Sequence, residues 1–148
     1  MSILDLVTED CIKVPLESTR KNDLLHEMID LLKEAGKISD PDAIYQVVRA
    51  REDQGSTGLG EGIAIPHAKT DAVTDITLAI GISPQGIDFE SLDGEDAKVF
   101  FMILAPPDKS GLHIEALSEV ARLTRSAAFM RTLIHSETPA EVVELFQE

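Results

Sequence analysis

The chain has 148 residues, 43% apolar and 27% charged, which suits one domain over residues 1–148 with a single core rather than a disordered segment. Its 27 acidic side chains outnumber 13 basic ones, and the formal charge of −14 argues against nucleic acid or direct insertion at an anionic membrane. No apolar run approaches the roughly 18 residues that cross a bilayer, the first residues lack a signal pattern, and a lone cysteine, Cys11, fits a reducing cytoplasm.

Ile3, Leu4, Leu6 and Val7 suggest a short helical turn. Residues 11–16 then read as a short strand, which Pro15 limits to an edge or a bend, with Cys11 a buried structural thiol. Residues 17–35 read as a strong helix. Leu24, Leu25, Met28, Ile29, Leu31 and Leu32 form its core-facing stripe, Gly36 closes it, and His26 falls on its surface. Asp40 and Pro41 supply the N-cap and first position of a second helix, with Ala43, Ile44, Val47 and Val48 on its buried face. Arg49 and Arg51 lie in its last turns, where a cation complements the helix dipole. Two residues apart they cannot share a face, so at most one points at the segment that follows.

Beyond residue 70 comes a polar turn over residues 71–74 and a strand over 76–82. Ser83-Pro84-Gln85-Gly86 has turn chemistry, residues 87–89 suit a short returning strand, and Asp93-Gly94 marks another turn. Residues 97–104 are the strongest strand, their near-continuous apolar run being the pattern of a central strand covered on both faces. Ala105-Pro106-Pro107 stops it. Gly111-Leu112-His113 opens a third long helix with Leu112, Ala116, Val120 and Leu123 near helical spacing. His113 falls in its first turn beside the end of the central strand, where a capping-region histidine is the plain reading. Residues 126–136 form a shorter helix with His135 near its end, and Thr138-Pro139-Ala140-Glu141 starts a last helix with a capping box. The fold class is α/β, a layered sandwich with a mixed sheet of about five strands flanked by helices.

Between the second helix and that polar turn lies the most unusual stretch, Gly55-Ser-Thr-Gly-Leu-Gly-Glu-Gly-Ile-Ala-Ile-Pro-His-Ala-Lys-Thr70. Four of the nine glycines fall within eight residues here, a density that means positive φ or close backbone approach. Ile63-Ala64-Ile65 reads as a short buried strand that Pro66 ends or bends, leaving His67 where a strand meets a loop. No Gly-Lys-Ser/Thr opens a helix here, no strand precedes the glycines, and no second metal ligand lies at short spacing. That leaves His67 as acid, base or nucleophile, against the commoner role of a histidine satisfying a turn.

The run Arg51-Glu52 … Ser56-Thr57-Gly58-Leu59-Gly60-Glu61-Gly62-Ile63-Ala64-Ile65-Pro66-His67-Ala68-Lys69 resembles the phosphorylation-site signature of the type-2 (fructose/mannitol) IIA domains of the bacterial phosphotransferase system, PTS. The similarity extends over Phe100-Phe101-Met102-Ile103-Leu104-Ala105 and His113-Ile114-Glu115-Ala116-Leu117, and Ile-Pro-His-Ala-Lys-Thr is most similar to the fructose branch. The resemblance implies a phosphocarrier in which His67 takes a phosphoryl group from phospho-HPr as a tele-phosphohistidine. It would pass the group to a cysteine of a IIB protein or domain, with a separate membrane IIC, for uptake of a fructose-type sugar. Arg51 would neutralise phosphoryl oxygens and His113 would orient the group. Glycine density alone suggests backbone donors at Ser56, Thr57, Gly58 and Gly60. Loops at one sheet edge would bring Arg51, His67 and His113 together, and no metal or organic cofactor is required. The alternative within the resemblance is a nitrogen-related regulatory IIA protein, with Ala68-Lys69-Thr70 favouring transport. A nucleotide- or metal-dependent hydrolase using His67 and His113 lacks carboxylate or cysteine ligands at credible spacing.

Overall fold

In the computed structural model, which describes residues 3–147, the sheet is assembled around its most apolar strand. The strands are β1 (Ile12–Lys13), β2 (Gly58–Gly60), β3 (Ile63–Ala64), β4 (His67–Lys69), β5 (Thr77–Ile87) and β6 (Ala97–Ala105). The helices are α1 (Lys21–Glu34), α2 (Pro41–Asp53), α3 (Ser110–Thr124), α4 (Ala127–Ile134) and α5 (Pro139–Gln147). Strand order is β1-β5-β6-β3-β2, with β4 also pairing β6. The β5–β6 and β2–β3 pairs are antiparallel, whereas β1 runs parallel to β5, and β3 and β4 run parallel to β6.

The apolar run of β6 is explained by what covers it. Successive side chains of a strand point to opposite faces. Phe100, Met102 and Leu104 pack with α1 and α2, while Val99, Phe101 and Ile103 pack with α3, α4 and α5. A strand buried on both faces has no position for a polar residue. Leu24, Leu25, Met28 and Leu32 of α1 are completely buried in the first layer. Gly36, at φ +76°, ends that helix, and Lys37 N–H returns to Leu32 O at 3.0 Å. Asp40 caps α2 by accepting from Ala43 N–H at 3.2 Å.

Three boundaries differ from the sequence reading. The strand expected over 11–16 shrinks to Ile12–Lys13, with Cys11 closing a 3₁₀ turn. α1 begins at Lys21 rather than 17, because Glu17 and Ser18 N–H both bind the Glu27 carboxylate at 2.9 Å and hold the chain off the helix axis. The expected turn at 83–86 is a bulge within β5, which runs on to Ile87. Ile82 pairs with Val99 and Ile87 with Ala97, so Pro84 lies where the ladder to β6 is already broken and its missing N–H removes no rung. At the far end, Thr138 caps α5 through Glu141 N–H, while the Glu141 carboxylate takes Glu137 N–H, one residue earlier than the capping-box pattern places it. Among the described residues no helix is long and apolar enough to cross a membrane.

Candidate functional site

β3 and β4 are two pieces of one interrupted strand. Ile63 faces Val99, Ala64 faces Phe100, and after the break His67 faces Ile103 in the same register. His67 therefore opens a strand of its own instead of entering a loop, as its sequence context suggested. The break falls at Pro66, which has no N–H; its carbonyl still accepts from Ile103 N–H at 3.0 Å. Ile65 N–H leaves β6 and donates to Thr57 O at 3.0 Å in the glycine-rich segment. The carbonyl of Ile65 turns to His67, accepting from Nδ1 at 2.7 Å. A carbonyl only accepts, so Nδ1 carries the hydrogen and the lone pair of the neutral ring lies on Nε2. The side chain is partly exposed. Strand alternation sends Ala68 into the α1–α2 layer and leaves His67 on the opposite side.

On that side stands His113, in the first turn of α3 and only 3% exposed. The two rings meet edge to face, centroids 5.7 Å apart and planes at 63°. Burial pushes the His113 pKa below its ordinary value of 6.5, His67 and Lys69 push the same way, and a hydrogen bond to the Ile103 backbone opposes them. Its Nε2 is buried with no hydrogen-bond partner among the described residues. This buried orphan nitrogen is on a ring whose centroid lies 5.7 Å from that of His67.

Of the two arginines ending α2, Arg49 binds Asp53 at 2.6 Å and Asn22 at 2.8 Å, whereas Arg51 donates to Gly55 O at 2.9 Å. No hydrogen bond joins Arg51 to either imidazole among the described residues. Of the three residues expected together, the two histidines are in direct ring contact, and Arg51 bonds the start of the glycine-rich segment.

The segment itself is tied inward. Thr57 N–H donates to Glu52 Oε1 at 3.2 Å and its hydroxyl to Glu52 Oε2. Gly58 N–H donates to Ser56 Oγ at 3.0 Å, and that hydroxyl donates to Phe89 O at 2.8 Å. Gly60 sits at φ +96° with Asp93 packed against its Cα. The amides of Thr57 and Gly58, expected among the phosphate donors, are therefore engaged within the protein. Two residues were given no role in the sequence reading: Glu52, with its side chain fully buried, and Lys21, whose Nζ lies 2.9 Å from it and 4.4 Å over the Phe89 ring. Their signal was legible, since Glu52 follows Ile44 and Val48 on one helical stripe and Lys21 precedes Leu24 and Leu25 on another. A charge on an apolar stripe calls for a buried partner.

The layered α/β frame thus sets a partly exposed imidazole beside a second and buried one. The sequence profile described as "Phosphoenolpyruvate-dependent sugar phosphotransferase system, EIIA 2" matches residues 5–148, and the chain belongs to that family. It is 39% identical over 148 residues, its full length, to the fructose-specific EIIABC component of Bacillus subtilis (strain 168), of which it spans only 23%. It is 37% identical over 128 residues to the fructose-specific EIIA component of Haloferax volcanii, covering 86% of this chain and 83% of that one. The crystal structure of nitrogen regulatory protein IIA-Ntr from Neisseria meningitidis shares the fold with a TM-score of 0.89 at 28% identity, covering 97% of this chain and 98% of that one.

Proposed function

We propose that residues 1–148 act as one phosphocarrier domain, with Nε2 of His67 as the acceptor. The observation that carries this is the bond from Nδ1–H of His67 to Ile65 O, which holds the ring in the tautomer with a free Nε2 lone pair. In the transfer, the P–N bond of phospho-HPr breaks as a P–Nε2 bond forms. The ring becomes an imidazolium that still donates from Nδ1, and the Ile65 carbonyl dipole supports that charge. In the onward step the P–Nε2 bond breaks as a P–S bond forms on the thiolate of a cysteine of a IIB partner, returning His67 to its neutral tautomer. Little else is needed, because phosphoryl transfer is mostly alignment and charge compensation.

Arg51 is assigned to the phosphoryl oxygens, for which its planar fork suits better than an ammonium. His113, buried beside His67, is assigned to orienting the phosphoryl group. The sugar is read as fructose-type from the two fructose-specific relatives, and IIB and IIC functions are read from the composite EIIABC relative. The domain would work in the cytoplasm. A second reading, regulation through phosphorylation state, is favoured by the likeness to the Neisseria nitrogen regulatory protein. Incubation with labelled phosphoenolpyruvate, the two general phosphotransferase proteins and a panel of IIB proteins separates them. Transfer of label to a fructose-type IIB supports transport, and label that stays on this chain with every IIB supports regulation.

A further inference from the structure

A continuous set of hydrogen bonds leads from the buried ion pair to the imidazole. Lys21 Nζ lies 2.9 Å from Glu52 Oε1, which also accepts Thr57 N–H at 3.2 Å. Glu52 Oε2 takes the Thr57 hydroxyl. Thr57 O takes Ile65 N–H at 3.0 Å, and Ile65 O takes His67 Nδ1–H at 2.7 Å. We infer that Glu52, acting through Thr57, is a positioning residue for His67, fixing the Ile65 carbonyl that holds its tautomer.

The argument rests on how the Ile65 peptide is held. Residues Ile63 and Ala64 on one side, and His67 to Lys69 on the other, are clamped to β6, and so is the Pro66 carbonyl. Ile65 lies between these clamps with its N–H on Thr57 O at 3.0 Å, so the orientation of this residue is tied to Thr57. Thr57 lies in backbone that glycine makes permissive, with Gly55 at φ +153° and Gly60 at φ +96°. Something must hold it, and both oxygens of Glu52 do. The ion pair is a poor choice for stability alone: buried charges lose their hydration, and apolar residues of similar volume often serve as well or better. Glu52 stands on the stripe of Ile44 and Val48, where an apolar side chain would pack. What an apolar residue could not do is accept both donors of Thr57 and fix the segment in one arrangement. The same logic applies elsewhere to imidazoles whose second nitrogen is oriented by an outer partner.

Nitrogen-15 NMR of the His67 ring reads the proposal without any phosphoryl donor, so its result is independent of the proposed function; only the rate arm rests on that reading. In the wild type, neutral His67 should show a protonated Nδ1 and a lone-pair Nε2. Thr57→Val and Glu52→Gln should move both signals toward a tautomer average and slow phosphoryl acceptance by about tenfold, the lower end of such outer-partner effects. Thr57→Ser, which keeps the hydroxyl, should restore the wild-type pattern. Folded Thr57→Val and Glu52→Gln proteins with unmoved His67 signals would overturn the proposal, whatever their melting temperatures. Should those variants not fold, amide exchange in the wild type decides. The Thr57 and Ile65 amides should then open together with equal protection, and Ile65 staying protected while Thr57 exchanges would equally overturn it.

Discussion

His113 presents its ring to His67 at a centroid distance of 5.7 Å, and both rings depend on one residue of the sheet. Ile103 pairs with His67 across β4 and β6, and its backbone hydrogen-bonds His113. The separation of the two imidazoles is therefore set by the most buried strand of the protein rather than by loops. One ring is partly exposed with its tautomer fixed, and the other is buried.

His67→Ala should abolish phosphoryl acceptance and leave the fold intact. The side chain is partly exposed at the start of β4, outside both core clusters, so its removal should cost less than about 1 kcal/mol. Intact mass after incubation with phospho-HPr, together with thermal unfolding, checks both halves. A fully phosphorylated mutant would move the assignment to His113.

Arg51→Lys should slow transfer about 10- to 100-fold, the range set by losing a charge-assisted hydrogen bond. Its melting temperature should barely change, because the side chain bonds only the Gly55 carbonyl among the described residues. Rates equal to wild type would leave Arg51 as a helix-end charge.

His113→Ala should still accept phosphate on His67 yet pass it on about 10²- to 10³-fold more slowly. That is the magnitude seen when one donor to a developing charge is removed, and in-flight charge demands more positioning than the resting carrier does. Single-turnover transfer from the phosphorylated variant to a IIB protein measures it. Unchanged onward rates would return His113 to a purely structural role.

His113 should also shape the response to acid. Its folded pKa lies below the ordinary 6.5, mainly through burial. Above about 6.5 both the folded and unfolded chains hold it neutral, so it adds no pH dependence there. As pH falls below about 6.5, the unfolded chain takes up a proton that the folded chain refuses, and stability declines until the lower folded pKa is passed. Urea midpoints of wild type and His113→Gln, compared from pH 8 to pH 5, should diverge below about 6.5, with wild type falling faster. Parallel curves would contradict this.

Two glycines of the segment should respond differently to alanine. Gly62 has φ +84° with open space where a Cβ would stand, so Gly62→Ala should cost only the left-handed conformation, about 1 kcal/mol. Gly60 has φ +96°, and a Cβ would come within 2.9 Å of Asp93 Oδ2. That carboxylate also accepts Glu61 N–H at 2.9 Å and Glu95 N–H at 3.0 Å, so displacing it disturbs two turns. Gly60→Ala should therefore cost about 2–3 kcal/mol. Chemical denaturation of both variants ranks them, and a reversed order would refute the contact argument.

The elements most legible in the sequence were those governed by local rules. The Asp40–Pro41 helix start, the Gly36 stop and the doubly covered β6 follow from capping chemistry and an unbroken apolar run. What escaped was decided by strand pairing and by the direction in which side chains and carbonyls turn. Residues 83–86 have every mark of a turn, yet the chain continues as a bulged strand because Ile87 still finds Ala97 on β6. The donors of Thr57 and Gly58 looked available because neither Glu52 nor the Ser56 hydroxyl announces its direction in a linear reading. His67 was conspicuous by its neighbours. The carbonyl that sets its tautomer belongs to Ile65, whose side chain says nothing about its backbone.

The uninterrupted register across Pro66 fixes the length of the chain between Ala64 and His67 by parity. Ile63 and Ile65 point into one core cluster, and Ala64 and Ala68 into the other. Deleting or inserting a single residue there while β3 kept its pairing would exchange odd for even from that point on. Ala68 would arrive opposite His113, and His67 would be driven into the apolar layer beneath α1 and α2. Two residues could be added or removed with less offence than one, because the strand counts in twos. The nucleophile's address is thus a matter of arithmetic as much as chemistry.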